Sequence, residues 1–480
     1  MRQGSQRVPV VYSRAVGAQA ASLLVDAPGF PDRVDAVVLG MGPGGEDVAG
    51  RLAQAGMTVV GIDANLVGGE CPYWGCVPSK MMVRAAGMLA EAARIEGMAG
   101  DSTTRADWGT VARRVASATD DWDDAVAVDR FVEKGGHFVR GWGVVESPTR
   151  VRVGDRVIEP TTALVIATGS SPAVPPVPGL EGTPYWTHRE AIECAALPAS
   201  LAVLGGGAIG VELAQVFARF GVEVHVVEAA DRLVAAEEPE SSAVVHDALV
   251  ADGVQVRIDA QVGGVEFRDG RFTLALADDA VTAERLLVAT GRRPALAALG
   301  AASLGVDVQG RGIPVDGRCR VQPGVWAIGD VTGIGAFTHL SMYQARVVAE
   351  DILGREPADA SYHALPRVTF TDPEVGAVGL TEAQARAAGM DVAVACTDLA
   401  SSARGWIHGP GNAGFVKLVE DRRRGILVGA TTVGPMGGEM LGLVALAVHA
   451  RVPTAELSQM IYAYPTFHRA IEAALDGLHG

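Results

Sequence analysis

The segment Gly68–Lys80, GGECPYWGCVPSK, holds the residues most able to do chemistry, Cys71 and Cys76, with four residues between them. A disulfide needs Cα atoms about 4.4–6.8 Å apart, and two cysteines five apart in a regular helix sit too far from each other. Gly69, Pro72, Gly75 and Pro78 keep the first half of the segment from being ordinary helix. A bend entering a helix between the two cysteines would close the gap, so the segment reads as a redox-active disulfide beside an electron source. A zinc site would need two more ligands at matching spacing, and none follow. A structural disulfide suits an oxidising compartment, but five cysteines in 480 residues are no disulfide scaffold.

The elements around this segment supply the electron source. A buried strand is expected over Arg33–Leu39, followed by a turn carrying Gly40, Gly42 and Gly45, a helix to Ala55, and a strand from Thr58 to Ile62 that ends at Asp63. In a dinucleotide-binding βαβ unit the first glycine makes the turn and the second lets backbone approach the pyrophosphate. The third lets helix pack on strand, and the acid takes ribose hydroxyls. Phosphate sits at the helix N-terminus, where unsatisfied N–H groups and the helix dipole meet it. The same grammar returns with a strand over Ser200–Leu204, then Gly205, Gly207 and Gly210, a helix to Phe220, and a strand Glu223–Val227 ending at Glu228. Two complete copies predict two bound dinucleotides rather than one site and a vestige.

Two similar phrases, LVIATGSSP (Leu164–Pro172, with Ala167, Thr168 and Gly169) and LLVATGRRP (Leu286–Pro294, with Gly291), each end a strand and read as crossover points between domains. VWAIGD, Val325–Asp330, is a further buried strand ending in Gly329-Asp330, an acid suited to a cofactor hydroxyl. From Leu365 the texture turns to alternating β-rich runs, with helical stretches from Gly438 and Thr454, as in an α+β domain on an antiparallel sheet.

A net charge of -16 argues against nucleic acid and acidic membrane surfaces as partners. No apolar run approaches the roughly 20 residues of a membrane span. The first thirty residues carry Arg2, Arg7 and Arg14 without a clean apolar core and read as a loose extension rather than a secretory signal. With so few cysteines, a cytoplasmic location is expected.

CxxxxC followed by Pro78, Ser79 and Lys80, two Gly-rich βαβ units, two ATG phrases and a GD phrase together resemble the class I flavoprotein disulfide reductases. That family includes dihydrolipoamide dehydrogenase, glutathione reductase, mycothione reductase, mercuric reductase and the soluble transhydrogenase. The resemblance covers the chain from about Asp35 onward. It implies an α/β fold of two Rossmann-like dinucleotide-binding domains plus a C-terminal α+β dimerisation domain. The extension would occupy 1–32, the FAD-binding domain 33–184 and 295–361, the NAD(P)-binding domain 185–294 and the dimerisation domain 362–480. It also implies a homodimer in which electrons pass from a nicotinamide nucleotide through FAD to the disulfide and on to a small-molecule acceptor. Cys76 would face the flavin and Cys71 the substrate. Lys80 would lie near flavin N5, paired with Glu212. Gly40, Gly42, Gly45, Asp63, Ala167, Thr168, Gly169, Gly205, Gly207, Gly210, Glu228, Gly291, Gly329 and Asp330 form the cofactor-binding set. Glu228 would repel a 2′-phosphate, which favours NADH over NADPH.

The chain leaves the family pattern at its C-terminus. Thiol reductases carry His-Pro-Thr there, with a Glu five residues after the His. YAYPTFHRAIE puts Tyr464 at the His position and Arg469 at the Glu position. One reading lets His468 with Glu472 replace the lost pair, since i and i+4 share a helix face. The other gives the enzyme an acceptor that needs no such acid: a quinone, a metal ion or a second nucleotide. A third makes it the flavoprotein subunit of a larger complex. Cys194, Cys319 and Cys396 read as buried small hydrophobes, and Tyr73 and Trp74 as either lining a substrate mouth or packing.

Overall fold

The computed structural model describes residues 31–478, so the expected extension over 1–32 lies almost wholly outside the described residues. These residues form two compact units. The first runs up to Gly69 and takes in Asp124–Gly169 and Pro294–Ala358; the second comprises Glu70–Asp123, Ser170–Arg293 and the chain from Asp359.

The first unit is built on strand β1 (Arg33–Leu39), helix α1 (Pro43–Gln54) and strand β2 (Val59–Asp63). Ala36, Val37, Val38 and Leu39 are all buried, as befits a strand covered on both faces in a parallel sheet. The strand order is Arg320–Gln322, Val325–Ala327, Arg156–Ile166, β1, β2, His137–Arg140. Val37 pairs in parallel with Val60 on one side and Leu164 on the other, and Leu164 pairs in turn with Val325. The edge pair Arg320–Gln322 with Val325–Ala327 is antiparallel. Pro43 opens α1, where its missing N–H costs nothing. Helix Thr338–Ile352 packs on α1 so closely that a Cβ at Gly44 would stand 2.9 Å from the Ser341 Cβ.

In the second unit a parallel sheet runs Gln255–Arg257, Glu223–Val227, Ser200–Leu204, Arg285–Val288. Helix α2 (Glu70–Tyr73) and helix α3 (Cys76–Ala93) belong to this unit. Met82 and Ala86 of α3 share one core with Trp108, Leu201, Val203 and Phe217, and with Val375, Phe415 and Val433 of the C-terminal sheet. That sheet is antiparallel, in the order Pro366–Thr369, Glu374–Gly379, Ile426–Gly434, Phe415–Asp421, Val392–Asp398. Helices Gly437–Ala450 and His468–Leu478 cover it with an apolar layer. The two ATG phrases meet: Ser171–Pro172 pairs antiparallel with Arg292–Arg293.

One expectation fails here. Cys194 and Cys319 are buried, but Cys396 is exposed. Its strand is the edge of the antiparallel sheet, and the pleat that turns Ala393 and Ala395 inward turns Cys396 out.

Candidate functional site

Two turns with one geometry end the first strand of each parallel sheet. At Gly40, φ is +88°, and a Cβ would fall 2.3 Å from the Ala167 carbonyl oxygen. At Gly45 a Cβ would fall 1.9 Å from the Gly40 oxygen, so only glycine lets the helix start this close to the strand. Gly205 and Gly210 repeat this, with clashes of 2.5 Å on Ala289 O and 2.0 Å on Gly205 O. The middle glycines differ: at Gly42 and Gly207 nothing lies within 4 Å of a Cβ. Each of these two is the N-cap of a twelve-residue helix, whose first-turn N–H groups face that open space.

The acids repeat as well. Asp63 Oδ2 accepts the Met41 N–H at 2.6 Å and Oδ1 the Asn65 N–H at 2.7 Å. Glu228 Oε2 accepts the Gly206 N–H at 2.5 Å and Oε1 the Ala230 N–H at 2.7 Å. Each carboxylate thus ties the end of the second strand to the glycine turn, and its remaining lone pairs can take sugar hydroxyls. Burial pushes the Asp63 carboxyl up, against the Met41 and Asn65 N–H groups that pull it down. Glycines that admit no Cβ, an open cradle at a helix N-terminus and an acid at the next strand's tip fit a dinucleotide at each turn.

The other expected cofactor residues of the first unit collect at the carboxyl ends of adjacent strands, where open α/β sheets bind ligands. The Ala167 N–H donates to Leu39 O at 2.7 Å and the Ile328 N–H to Ile166 O at 2.9 Å. Thr168 and Gly169 follow, Gly169 with φ +64°. The Gly329 N–H donates to Gln344 Oε1 at 2.7 Å, and Asp330 stands in the 3₁₀ turn Gly329–Thr332. In the second unit Gly291, with φ +121°, follows strand Arg285–Val288.

The cysteine segment bends as its glycines and prolines require. Cys71 lies in α2, the chain turns at Trp74 and Gly75, and Cys76 opens α3. A Cβ on Gly75 would stand 3.0 Å from Glu70 O and 3.4 Å from Cys71 Cα, so the backbone carrying Cys76 returns onto Cys71. Cys71 is half-buried and Cys76 exposed. One turn into α3, Lys80 Nζ meets Glu212 Oε2 at 2.7 Å. Glu212 is buried, its second oxygen accepts the Phe370 N–H at 2.8 Å, and Lys80 Nζ lies 4.7 Å from the Phe370 ring centroid. The rings between the cysteines pack rather than line a mouth. Trp74 is 2 % exposed, its Nε1–H donates to Glu193 Oε1 at 2.6 Å, and the Arg189 guanidinium lies 4.3 Å from its ring centroid. Tyr73 is also buried.

Sequence reasoning missed the partners of Glu70. Its carboxylate meets His188 Nε2 and the Arg189 guanidinium, and Arg292 Nη1 lies 3.8 Å away. Burial pushes this carboxyl up, but the His188 hydrogen bond and the charges of His188, Arg189 and Arg292 outweigh that and hold it at about 2. Glu70's place directly before Cys71 was the only sequence signal; its partners lie more than a hundred residues away, at no diagnostic spacing. At the C-terminus Tyr464 is 72 % exposed. His468 opens helix His468–Leu478, and Glu472 pairs with Arg469 Nη1 at 2.6 Å. The Arg469 guanidinium also stands 5.9 Å from the Tyr464 ring centroid.

Comparison with known proteins agrees with this geometry. Residues 34–346 match the pyridine nucleotide-disulphide oxidoreductase family and residues 365–475 its dimerisation domain. The dihydrolipoyl dehydrogenase of Halobacterium salinarum is 35% identical over 471 residues, covering 92% of this chain and 95% of that protein. The mercuric reductase of Acidithiobacillus ferrooxidans is 32% identical over 457 residues, covering 91% of this chain and 81% of that one. Among solved structures, the HOCl-induced flavoprotein disulfide reductase RclA of Escherichia coli superposes with a TM-score of 0.79 at 27% identity, over 92% of this chain and 99% of that one. LpdA of Mycobacterium tuberculosis gives 0.81 at 25%, with the same coverage.

The chain belongs to the pyridine nucleotide-disulphide oxidoreductase family. It is an FAD-dependent, NAD(P)H-linked oxidoreductase of the disulfide-reductase class, and its C-terminal unit includes that family's dimerisation domain. No helix among the described residues is long and apolar enough to cross a membrane.

Proposed function

We propose that the enzyme passes an electron pair from NADH to a Cys71–Cys76 disulfide and from there to a small disulfide or related acceptor. The return of the Gly75 backbone onto Cys71 is the observation that carries this reading. When bound, FAD supplies the chemistry of accepting a hydride equivalent and passing on its electrons as a pair. The two electrons break the S–S bond; Cys71 then attacks the acceptor disulfide, and one thiol leaves with a proton at each exchange. Overall, NADH, a proton and one disulfide become NAD⁺ and two thiols. In this proposal the FAD domain is 33–184 with 295–361, the NAD(P) domain is 185–294, and 362–480 joins two copies into a homodimer in the cytoplasm. Cys71 is the exchanging thiol, Cys76 the flavin-side thiol, and Lys80 a cation held by Glu212 beside the flavin.

NADH is preferred over NADPH because Glu228 holds a carboxylate at the second strand's tip, fixed by two backbone N–H groups. A second reading is favoured by Tyr464, an exposed phenol where thiol reductases have an imidazole: the acceptor is a quinone, a metal ion or another species that takes electrons without a proton donor. The deciding experiment is a panel of acceptors (glutathione disulfide, lipoamide, quinones, Hg²⁺ and a nicotinamide analogue) turned over with NADH by the purified enzyme. A disulfide reduced fastest supports the first reading; a quinone or metal ion supports the second. Flavin reduction with no acceptor turned over at all would favour a subunit of a larger complex.

A further inference from the structure

Glu70 is bonded to Cys71 in the chain, and its carboxylate is the meeting point of three basic side chains. His188 and Arg189 open helix His188–Ile192, where Thr187 and Glu190 form a capping box that fixes the start of the helix. Arg292 comes from the strand pair between the ATG phrases, where its Nε and Nη2 donate to Ser170 Oγ at 2.8 Å and Ser170 O at 2.6 Å. Arg189 also lies over Trp74, whose Nε1–H is held by Glu193. Helix α2 and the Trp74 that follows it are therefore clamped at both ends, with Cys71 inside the clamp. Two guanidiniums and an imidazole face Glu70, with Glu190 on the helix that carries His188 and Arg189 and Glu193 at that helix's C-cap.

We propose that Glu70 is a positioning residue for the thiol chemistry: held by His188, Arg189 and Arg292, it fixes Cys71 and sets how much positive charge the Cys71 sulfur feels. This rests on the reading of Cys71 as the exchanging thiol. The thiolate is the reactive form, and nearby positive charge increases its share. Glu70 offsets the two arginines. Loss of the acid removes a negative charge from the residue bonded to Cys71, whereas loss of Arg189 removes a positive charge from the cluster that holds it. A clamp that only holds this helix in place gives no such opposition of sign.

The test is the rate at which iodoacetamide alkylates Cys71 in the reduced holoenzyme near neutral pH, followed by peptide mass spectrometry with the exposed Cys396 as internal standard. Glu70→Gln is expected to raise the Cys71 rate relative to Cys396 roughly three- to tenfold, and Arg189→Gln to lower it by a similar factor. Glu70→Asp, which keeps the charge, is expected to stay within about twofold of wild type. Both neutral variants moving in the same direction, or neither moving, overturns the proposal. If Glu70→Gln fails to fold, the contrast of Arg189→Gln with Glu70→Asp decides the sign alone. The oxidised wild type separates this proposal from the reading beneath it. Cys71 and Cys76 protected until reduction uphold the disulfide, so the variants then speak only to Glu70. Both cysteines reacting before reduction overturn the disulfide reading and this proposal together.

Discussion

Lys80 Nζ sits 2.7 Å from Glu212 Oε2, while the other oxygen of Glu212 accepts the Phe370 N–H. One buried carboxylate thus joins the helix of the cysteine segment, the helix of the second glycine turn and the first loop of the C-terminal sheet. Glu212→Ala leaves the Phe370 N–H and the Lys80 ammonium without this acceptor, and a loss of about 1–3 kcal/mol in denaturant unfolding is expected. Lys80→Met keeps the aliphatic stem and removes the charge. It is expected to cost less stability and to slow flavin reduction by NADH at least tenfold in stopped-flow measurements. Flavin reduction at the wild-type rate in Lys80→Met would remove Lys80 from the cofactor site.

Nucleotide choice is expected to turn on Glu228. Both Glu228 oxygens are held by turn N–H groups, and in the proposed binding mode a 2′-phosphate would meet this carboxylate as a like charge. NADH should exceed NADPH in kcat/KM by roughly tenfold or more. Glu228→Ala together with Ala229→Arg should narrow or reverse that ratio. A wild type that prefers NADPH contradicts the assignment.

Acid should act on Glu70. Its carboxyl falls from an ordinary 4.5 to about 2 in the folded chain. Because the folded value lies below the unfolded one, the stability it contributes is present above about 4.5 and is lost as pH falls through about 2. Urea unfolding at about pH 6 and about pH 3 should show wild type losing roughly 1–3 kcal/mol more than Glu70→Gln between the two. Equal losses would mean that the contacts of Glu70 do not stabilise the fold.

The two glycine-turn units were legible because they are local: strand, glycine turn, helix and acid fall within about thirty residues, and the first and third glycines of each have a steric reason. The strands Arg33–Leu39, Ser200–Leu204 and Glu223–Val227 run over the spans their apolar residues mark. The pairing of Lys80 with Glu212 was reached through the family resemblance, since no spacing rule joins residues 132 apart. The clamp on Glu70 was not legible, because His188, Arg189 and Arg292 are brought to it only by tertiary packing. Cys396 was misread because composition alone does not show which face of an edge strand is covered.

Tyr464 sets the expected limit on disulfide turnover. A phenol has a reference pKa near 10 against about 6.5 for imidazole, so near neutral pH it is a poor proton shuttle for a thiolate. General acid–base help is worth roughly 100- to 10,000-fold. Turnover of glutathione disulfide and lipoamide is therefore expected to be weak while NADH reduces the flavin normally. Tyr464→His with Arg469→Glu should raise disulfide turnover and barely change quinone reduction. Lipoamide turnover at ordinary enzyme rates in the wild type would assign the acid to His468 instead.

The Cys71–Cys76 couple is tested most directly by anaerobic titration of the holoenzyme with one equivalent of NADH while recording the visible spectrum. A long-wavelength thiolate-to-flavin band is expected at two-electron reduction. Cys76→Ser should lack that band, and Cys71→Ser should show it before any reductant is added. Simple bleaching of the flavin in the wild type, with no such band, would contradict a redox disulfide at Cys71 and Cys76.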